Sequence, residues 1–472
     1  RIPQFVAKYQ YIKPTEKVSN TCVCIEGRIT AIRRMSKSLV FVDVVQDGVA
    51  VQIVLPRKEM GLDVADFDAE IAKYAKGDHI SAQGQPARTK SGELSVRAST
   101  NLSILAPCVL QPAHRLEQRE KINANRVLNY LVNPKSRNYI VTKAKVISAI
   151  RNYLTSDGFL EVQTPILAGD GTGANAQPFE SKCLSLDKKV SLRVAPELWL
   201  KKLVISGFDK VFEIGQNFRN EGIDATHNPE FTSCEFYKLH INLEGLMTMT
   251  EEIVHAMLKE VGAHGQDIAV ENQMRLALAR TDYRRVEFIP AIEEITGFKL
   301  PEDLSSSALI DYFQKVDVPL PLQRSPAHLL DTLAGVYLEP LLQKEPVFIY
   351  NHPAVMSPLA KLGPVEYNGR VYEISRRFEL FIAEQEYANS YEEENSPFEQ
   401  LSKFNAQLEA RDEFRDAELL VPDWAYVKAM EYGLPPTGGW GCGIDRFAML
   451  FGGTKRIEDV LTFGTLKDVV KQ

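Results

Sequence analysis

One stretch of this chain gathers residue types suited to holding a charged ligand: Phe218-Arg-Asn-Glu-Gly-Ile-Asp-Ala-Thr-His-Asn-Pro-Glu-Phe-Thr-Ser-Cys-Glu-Phe-Tyr237. It begins and ends in strand-like residues and turns through Gly222 and Asn228-Pro229, presenting an Arg, a His and a Phe around one loop beside two carboxylates. The planar donor fork of Arg219 suits a phosphate, and Phe231 offers an aromatic face to a base. On the residues alone, a surface loop with ordinary ion pairs remains open. A second stretch, Gly439-Trp-Gly-Cys-Gly-Ile-Asp-Arg446, sets three glycines at alternate positions before a helix, where they let a ligand or another backbone come close. Its spacing matches neither the dinucleotide fingerprint nor the P-loop, and it has no phosphate-binding Lys-Ser/Thr. A glycine-rich strand packed on its own helix is the plainer alternative.

These stretches need elements to position them. Residues 20 to 110 read as short alternating strands: Cys22–Gly27, Leu39–Asp43, Val49–Leu55 after the turn at Gln46-Asp47-Gly48, Gly77–Ile80 and Glu93–Arg97. Five strands with one helix near Asp66 to Tyr74 fit a small oligonucleotide-binding (OB) barrel, with any small barrel or sandwich left open. Pro107 and Pro112 introduce a polar linker, giving a barrel over 1–106, a linker over 107–122 and a second domain over 123–472. In that domain apolar residues recur at helical spacing from Asn138 to Leu160, and Gly158 then turns the chain to a strand at Phe159–Pro165. A helix from about Leu243 to Gly262 leads into a largely helical insertion over 263–342. Strands return near Val347 and Val371, and a last helix spans Cys442 to Leu450. The expected fold class is α+β: a five-stranded barrel followed by a mixed antiparallel sheet flanked by helices.

At 472 residues the chain exceeds one ordinary domain, and its 44% apolar and 25% charged residues are those of a globular protein. No run approaches the roughly 18 apolar residues of a membrane span, so no membrane partner is expected. A net charge of −7 does not bar nucleic-acid binding, because phosphate binding depends on local patches. The six cysteines are scattered; Cys22 and Cys24 lack a second pair to complete a zinc site, and buried reduced thiols in a reducing compartment are expected. The chain starts at Arg1 rather than Met, which fits either a cleaved targeting segment or a trimmed start.

Together the segments resemble the class II aminoacyl-tRNA synthetases. Phe159 to Pro165 is similar to motif 1, Phe218 to Tyr237 to motif 2 and Gly439 to Arg446 to motif 3, in that order. A barrel ahead of this core resembles the aspartyl/asparaginyl/lysyl subgroup. Within it, Asn351-His-Pro-Ala-Val-Met-Ser-Pro-Leu-Ala-Lys361 and Arg377-Phe-Glu-Leu-Phe with Glu386-Tyr-Ala-Asn-Ser-Tyr-Glu-Glu-Glu-Asn395 are similar to the lysyl signature.

The resemblance implies a function: activation of L-lysine with ATP and its transfer to tRNA(Lys). It also implies roles, residue by residue. Arg219 would hold the α-phosphate and substrate carboxylate, Glu221 the adenine, and Phe231 with Arg446 would sandwich that ring. His227 and Arg446 would reach the γ-phosphate, and Glu379 and Glu386 would coordinate Mg2+. Gly173 and Glu197 would receive the α-amino group and Asn389 the α-carboxylate. Glu235, Tyr237 and Glu393 would surround the ε-ammonium, with Tyr391 in the same pocket. A buried ammonium needs such partners, and a neutral competitor would leave the carboxylates unpaired. Glu393 lies four positions after Asn389 and two after Tyr391, so a strand puts them on related faces; Glu392 and Glu394 read as a solvated acidic run.

The substrate carboxylate is ionised at neutral pH, so attack on the α-phosphorus needs no general base, only positioning and charge stabilisation. In the barrel, Arg28, Phe41, Gln52 and Glu93 would read the anticodon, Phe41 by stacking on a base unless it is a core residue. Three positions depart from the lysyl pattern: Gln177, Trp440 and Gly464, of which Gln177 and Trp440 are expected near the site. Motif 1 implies an isologous homodimer. The divergence fits an enzyme of the mitochondrial matrix, with the cytoplasm as the alternative. Two rivals are an aspartyl or asparaginyl enzyme and a non-catalytic tRNA-binding relative; the first is opposed by Met356–Lys361 and the acidic pocket, the second by the presence of Arg219, Arg446, Glu379 and Glu386.

Overall fold

A computed structural model describes residues 1–112, 115–169, 176–262, 270, 272–343, 345–414 and 422–471. The chain forms two compact units, Arg1–Asn133 and Pro134–Gln472.

In the first unit, strands β1 (Val23–Ser36), β2 (Leu39–Gln46), β3 (Val49–Pro56), β4 (His79–Arg88) and β5 (Leu94–Ala98) close a barrel in the order β1-β2-β3-β5-β4-β1. All these pairings are antiparallel except β3 with β5. A sixth strand, β6 (Ser103–Ala106), adds to β4. Asp47 and Gly48, both at positive φ, make the tight turn between β2 and β3 that the sequence marks. Alternation sends Val40, Val42 and Val44 of β2 inward and Phe41 and Asp43 outward. Phe41 is thus no core residue. Phe67, on the helix Val64–Ile71 capped by Asp63, joins the barrel core. So do Ile2, Phe5 and Tyr9 of a helix Ile2–Tyr9 that the strand pattern did not anticipate.

The second unit is built on a nine-stranded sheet. Its short preliminaries are β7 (Leu160–Glu161) and a small separate sheet of β8 (Leu167–Ala168), β9 (Glu180–Cys183) and β10 (Lys188–Leu192). Then come β11 (Lys210–Phe218), β12 (Glu230–Leu239), β13 (Arg284–Glu287), β14 (Val347–Pro353), β15 (Leu362–Tyr367), β16 (Arg370–Ile382), β17 (Gln385–Glu392) and β18 (Thr437–Gly443). The order is β13-β14-β16-β17-β18-β12-β11-β7, with β15 on β16. The middle six strands are antiparallel, and the outermost pairs, β13–β14 and β7–β11, are parallel. One face carries the main apolar core, where Phe236, Phe378 and Trp440 meet the helices Pro134–Ser156, Leu243–Gly262 and Ile444–Gly452. The insertion holds its own core on the helices Phe288–Thr296, Ser306–Val316 and Pro326–Tyr337.

The structure corrects several expectations. Cys442 and Gly443 end a strand rather than begin a helix, because β12 and β17 pair with this segment up to that point, and two short helices follow Ile444–Gly452. Trp440 lines the cavity, as expected of a residue near the site, but its ring stacks on Phe236 at 5.0 Å within the core. Gly464 sits at φ +87°, a conformation closed to proline. Cys22 and Cys24 are exposed, whereas Cys234 and Cys442 are buried opposite each other across β12 and β18; all six cysteines are free. Glu394 is buried beside Lys403, and Glu392 accepts from the Leu243 backbone N–H at 3.0 Å, so neither belongs to a solvated run. Among the described residues no helix is long and apolar enough to cross a membrane.

Candidate active site

The sheet face opposite the main core floors a cavity of about 550 Å3. Register explains why its residues converge. Glu379, Asn389, Gly441 and Glu235 lie in one row across β16, β17, β18 and β12; Arg377, Tyr391, Gly439 and Tyr237 form the next. The glycines of β18 keep the middle of the floor low. A Cβ at Gly439 would collide with the Glu393 carboxylate and the Tyr237 ring.

At one end of the cavity stand Arg219, Glu221, His227, Phe231 and Arg446. The Arg219 guanidinium lies over the Phe231 ring, 5.2 Å from its centroid, and its buried Nε has no hydrogen-bond partner. That is a donor awaiting an acceptor. Arg446 donates to the Glu386 backbone carbonyl at 2.6 Å and lies 3.1 Å from His227 Nε2, whose Nδ1 faces Asp224 at 2.9 Å. Asp445 accepts from the Thr232 N–H at 2.7 Å and so binds the start of the last long helix to β12.

Glu379 and Glu386 both approach the Asn389 amide nitrogen at 3.4 Å, and the Asn389 oxygen accepts from Arg377 Nε at 3.0 Å. Burial would raise the Glu379 carboxyl, but Arg377 and His352 overcome it and hold it down at about 2. Burial and the neighbouring Glu379 push Glu386 up instead. Two facing carboxylates of this kind suit a cation. Among the described residues no cluster of three or more His, Cys, Asp or Glu side chains could hold a metal by itself. Two carboxylates are a donor set compatible with magnesium, which takes one or two carboxylates and completes its shell from phosphate oxygens and water.

The other end is closed and acidic. Burial and the charge of Glu197 push Glu235 up to about 8, and Tyr237 Oη donates to it at 3.3 Å. Glu197 accepts from Tyr391 Oη and from Lys201 Nζ, the latter at 2.7 Å. Lys201 is fully buried and also ion-pairs with Glu393, which is itself buried behind the cavity wall beneath Gly439. The cation lies 5.4 to 5.9 Å from the ring centres of Tyr237, Tyr391 and Tyr426. A neighbouring carboxylate, Glu213, is separately neutralised by Arg193 at 2.5 Å.

Of the residues singled out from the sequence, twelve line this one cavity: Arg219, Glu221, His227, Phe231, Glu379, Glu386 and Arg446, with Glu197, Glu235, Tyr237, Asn389 and Tyr391. Glu393 stands just behind it, facing Lys201. Gly173 lies outside the described residues. Gln177 is exposed, and its carbonyl accepts from the Asn220 N–H at 2.7 Å. The barrel residues fall in the other unit. Arg28 donates to the Gly77 carbonyl at 3.0 Å, Phe41 and Gln52 stand on β2 and β3, and Glu93 is exposed just before β5. Sequence reasoning gave no role to Lys201, Arg377 or Arg193. Arg377 stood in the quoted Arg377-Phe-Glu-Leu-Phe stretch, and Lys201 carried a local signal, four residues after Glu197 on one helix.

A family profile described as tRNA synthetases class II (D, K and N) matches residues 118–467. The chain belongs to that family. It is 39% identical over 479 residues to the mitochondrial lysine–tRNA ligase of Schizosaccharomyces pombe, an alignment covering 99% of this chain and 88% of that protein. The mitochondrial lysine–tRNA ligase of Saccharomyces cerevisiae is 36% identical, with coverages of 96% and 83%. The lysine–tRNA ligase of Streptococcus gordonii is 40% identical, with coverages of 88% and 82%. As a class II synthetase, the chain unites a closed five-stranded OB barrel with a class II sheet, as its α+β pattern foretold.

Proposed function

We propose that this protein is a lysine–tRNA ligase: it activates L-lysine with ATP, giving lysyl-adenylate and pyrophosphate, and passes lysine to the 3′-terminal ribose of tRNA(Lys). The observation that carries this reading is the acidic end of the cavity. Glu197 and Glu235, ringed by tyrosine hydroxyls, lie on the same floor as the unpartnered donor of Arg219. An amino acid with a distal positive charge satisfies that end, and a neutral one leaves buried carboxylates exposed to their full desolvation cost. The names of the relatives point the same way.

Arg219 holds the substrate carboxylate against the α-phosphate. The carboxylate oxygen bonds to that phosphorus as the bridge to the β-phosphate breaks, and pyrophosphate leaves with its charge met by Arg446 and His227. Phe231 and Arg446 clasp the adenine, and Glu221 contacts it. Glu379 and Glu386 would hold magnesium, which supplies neutralisation of the phosphates when bound. At the other end Glu197, Gly173 and Asn389 take the backbone groups of lysine, while Glu235, Tyr237 and Tyr391 take its ε-ammonium and Glu393 adds its charge from behind the wall. Arg28, Phe41, Gln52 and Glu93 of the barrel (residues 1–106) read the anticodon, joined through 107–122 to the catalytic domain 123–472. The working form is a homodimer, and its place is the mitochondrial matrix.

ATP–pyrophosphate exchange with lysine, aspartate and asparagine in parallel tests the reading. Lysine alone is expected to support exchange; comparable exchange with either of the other two overturns it. Sedimentation of an active monomer would remove the dimer, and recovery in the cytosolic fraction of cells would remove the matrix assignment.

A further inference from the structure

Lys201 occupies an unusual position. It is completely buried, it donates to Glu197 at 2.7 Å, and it ion-pairs with Glu393 on the far side. Nothing in the proposed chemistry requires a second lysine beside a pocket for lysine. Counting charge explains it. Three carboxylates surround this end of the cavity, namely Glu197, Glu235 and Glu393, while Glu213 is already matched by Arg193. At ion-pair distance the described residues supply these three with one cation, Lys201, which pairs with Glu197 and Glu393; Arg219 and Arg193 act on Glu235 only from farther away. The shortfall is two positive charges, and the α- and ε-ammonium groups of lysine supply two.

We propose that Lys201 is a positioning and specificity-determining residue, a resident counter-ion that holds Glu197 and Glu393 in place and sets the pocket's charge deficit to that of a dicationic amino acid. The inference rests on the lysine-pocket reading above. Without Lys201 the deficit becomes three, so bound lysine leaves one buried carboxylate uncompensated, and breaking a buried pair costs far more than replacing both members. With Lys201 present and the pocket empty, two carboxylates lack a cation. The upward displacement of Glu235 and Glu393, driven in both by burial, agrees with that surplus.

The test uses the full chain and lysine-dependent ATP–pyrophosphate exchange. Lys201→Met is expected to raise the KM for lysine about tenfold or more, with the KM for ATP changed less than about twofold. In Lys201→Met/Glu393→Gln two carboxylates again meet two ammonium groups, so the double variant is expected to bind lysine better than either single variant and to melt higher than Lys201→Met. Effects that simply add, an unchanged lysine KM in Lys201→Met, or a double variant that melts no higher than the single one each overturn the proposal. Glu235→Gln separates the two levels of the argument. If it leaves the lysine KM unchanged, the pocket assignment fails; if it raises that KM while Lys201→Met does not, only the charge-setting role fails.

Discussion

The two ends of the cavity are built on opposite plans. Around Arg219 and Arg446 the groups are half-exposed and loosely tied, with a guanidinium nitrogen left unpaired and His227 and Glu221 reaching into solvent. Around Glu197 and Lys201 the groups are largely buried and already tied to one another before any ligand arrives, Lys201 to Glu197 and Glu393 and Tyr391 to Glu197. A large flexible polyanion can be gathered by partly exposed donors, because much of its charge is met by solvent. A small amino acid must be told from others differing by a few atoms, and that discrimination needs a closed, preorganised shell whose unmet charges are costly.

Breaking the open end has the largest expected effect. Arg219→Ala is expected to lower kcat/KM for pyrophosphate exchange by about 10^3 through loss of transition-state charge stabilisation, while melting temperature stays within a few degrees. A wild-type rate would detach Arg219 from the chemistry. At the closed end, Glu235→Gln is expected to raise the lysine KM by about 10^2, the scale of a broken buried ion pair, with the ATP KM nearly constant; equal changes in both would erase the contrast between the ends.

A pH titration sharpens the same contrast without mutation. Glu235 is pushed up to about 8, by burial first and Glu197 second. A proton on that carboxylate competes with the ε-ammonium, so the lysine KM falls as pH rises from 6.5 toward 8, by up to about tenfold per unit. The ATP KM should stay flat over that window, and Glu235→Gln should flatten the lysine profile too. The folding contribution has its own sign: the raised acid binds its proton more tightly folded than unfolded, so it costs nothing below the ordinary glutamate range and destabilises as pH climbs through about 8. Smallest of all for the cavity is Phe41→Ala in the barrel. It is expected to weaken tRNA binding by about 1–3 kcal/mol, the worth of one stacked base, as a higher KM for tRNA in aminoacylation with exchange untouched. A fall in exchange would tie Phe41 to something other than the anticodon.

Much of this was readable in the chain because it depends on local alternation. The five barrel strands and the helix Leu243–Gly262 announce themselves by spacing. The three alternate glycines of β18 were legible as a place of close approach, and Gly439 shows what approaches it: Glu393 and Tyr237. What stayed hidden depends on partners remote in sequence. Trp440 does line the cavity, but that its ring would pack on Phe236 across the strand pair was not visible in the chain. Lys201 was visible as a helical neighbour of Glu197, but its other partner, Glu393, comes from just past β17, far along the chain. The buried Arg193–Glu213 pair has the same character.

The floor strands have one more consequence, which can be stated as a parity rule. On β12, β16 and β18 odd-numbered positions (Glu235, Tyr237, Arg377, Glu379, Gly439, Gly441) meet the cavity, while the side chains at even-numbered ones (Cys234, Phe236, Phe378, Leu380, Trp440, Cys442) pack into the apolar core behind. Neighbouring letters of one strand thus answer to different pressures: a change at an odd number registers in kinetics, one at an even number in melting. A single-residue deletion in β18 would exchange the two sets at a stroke and lose catalysis and cohesion together.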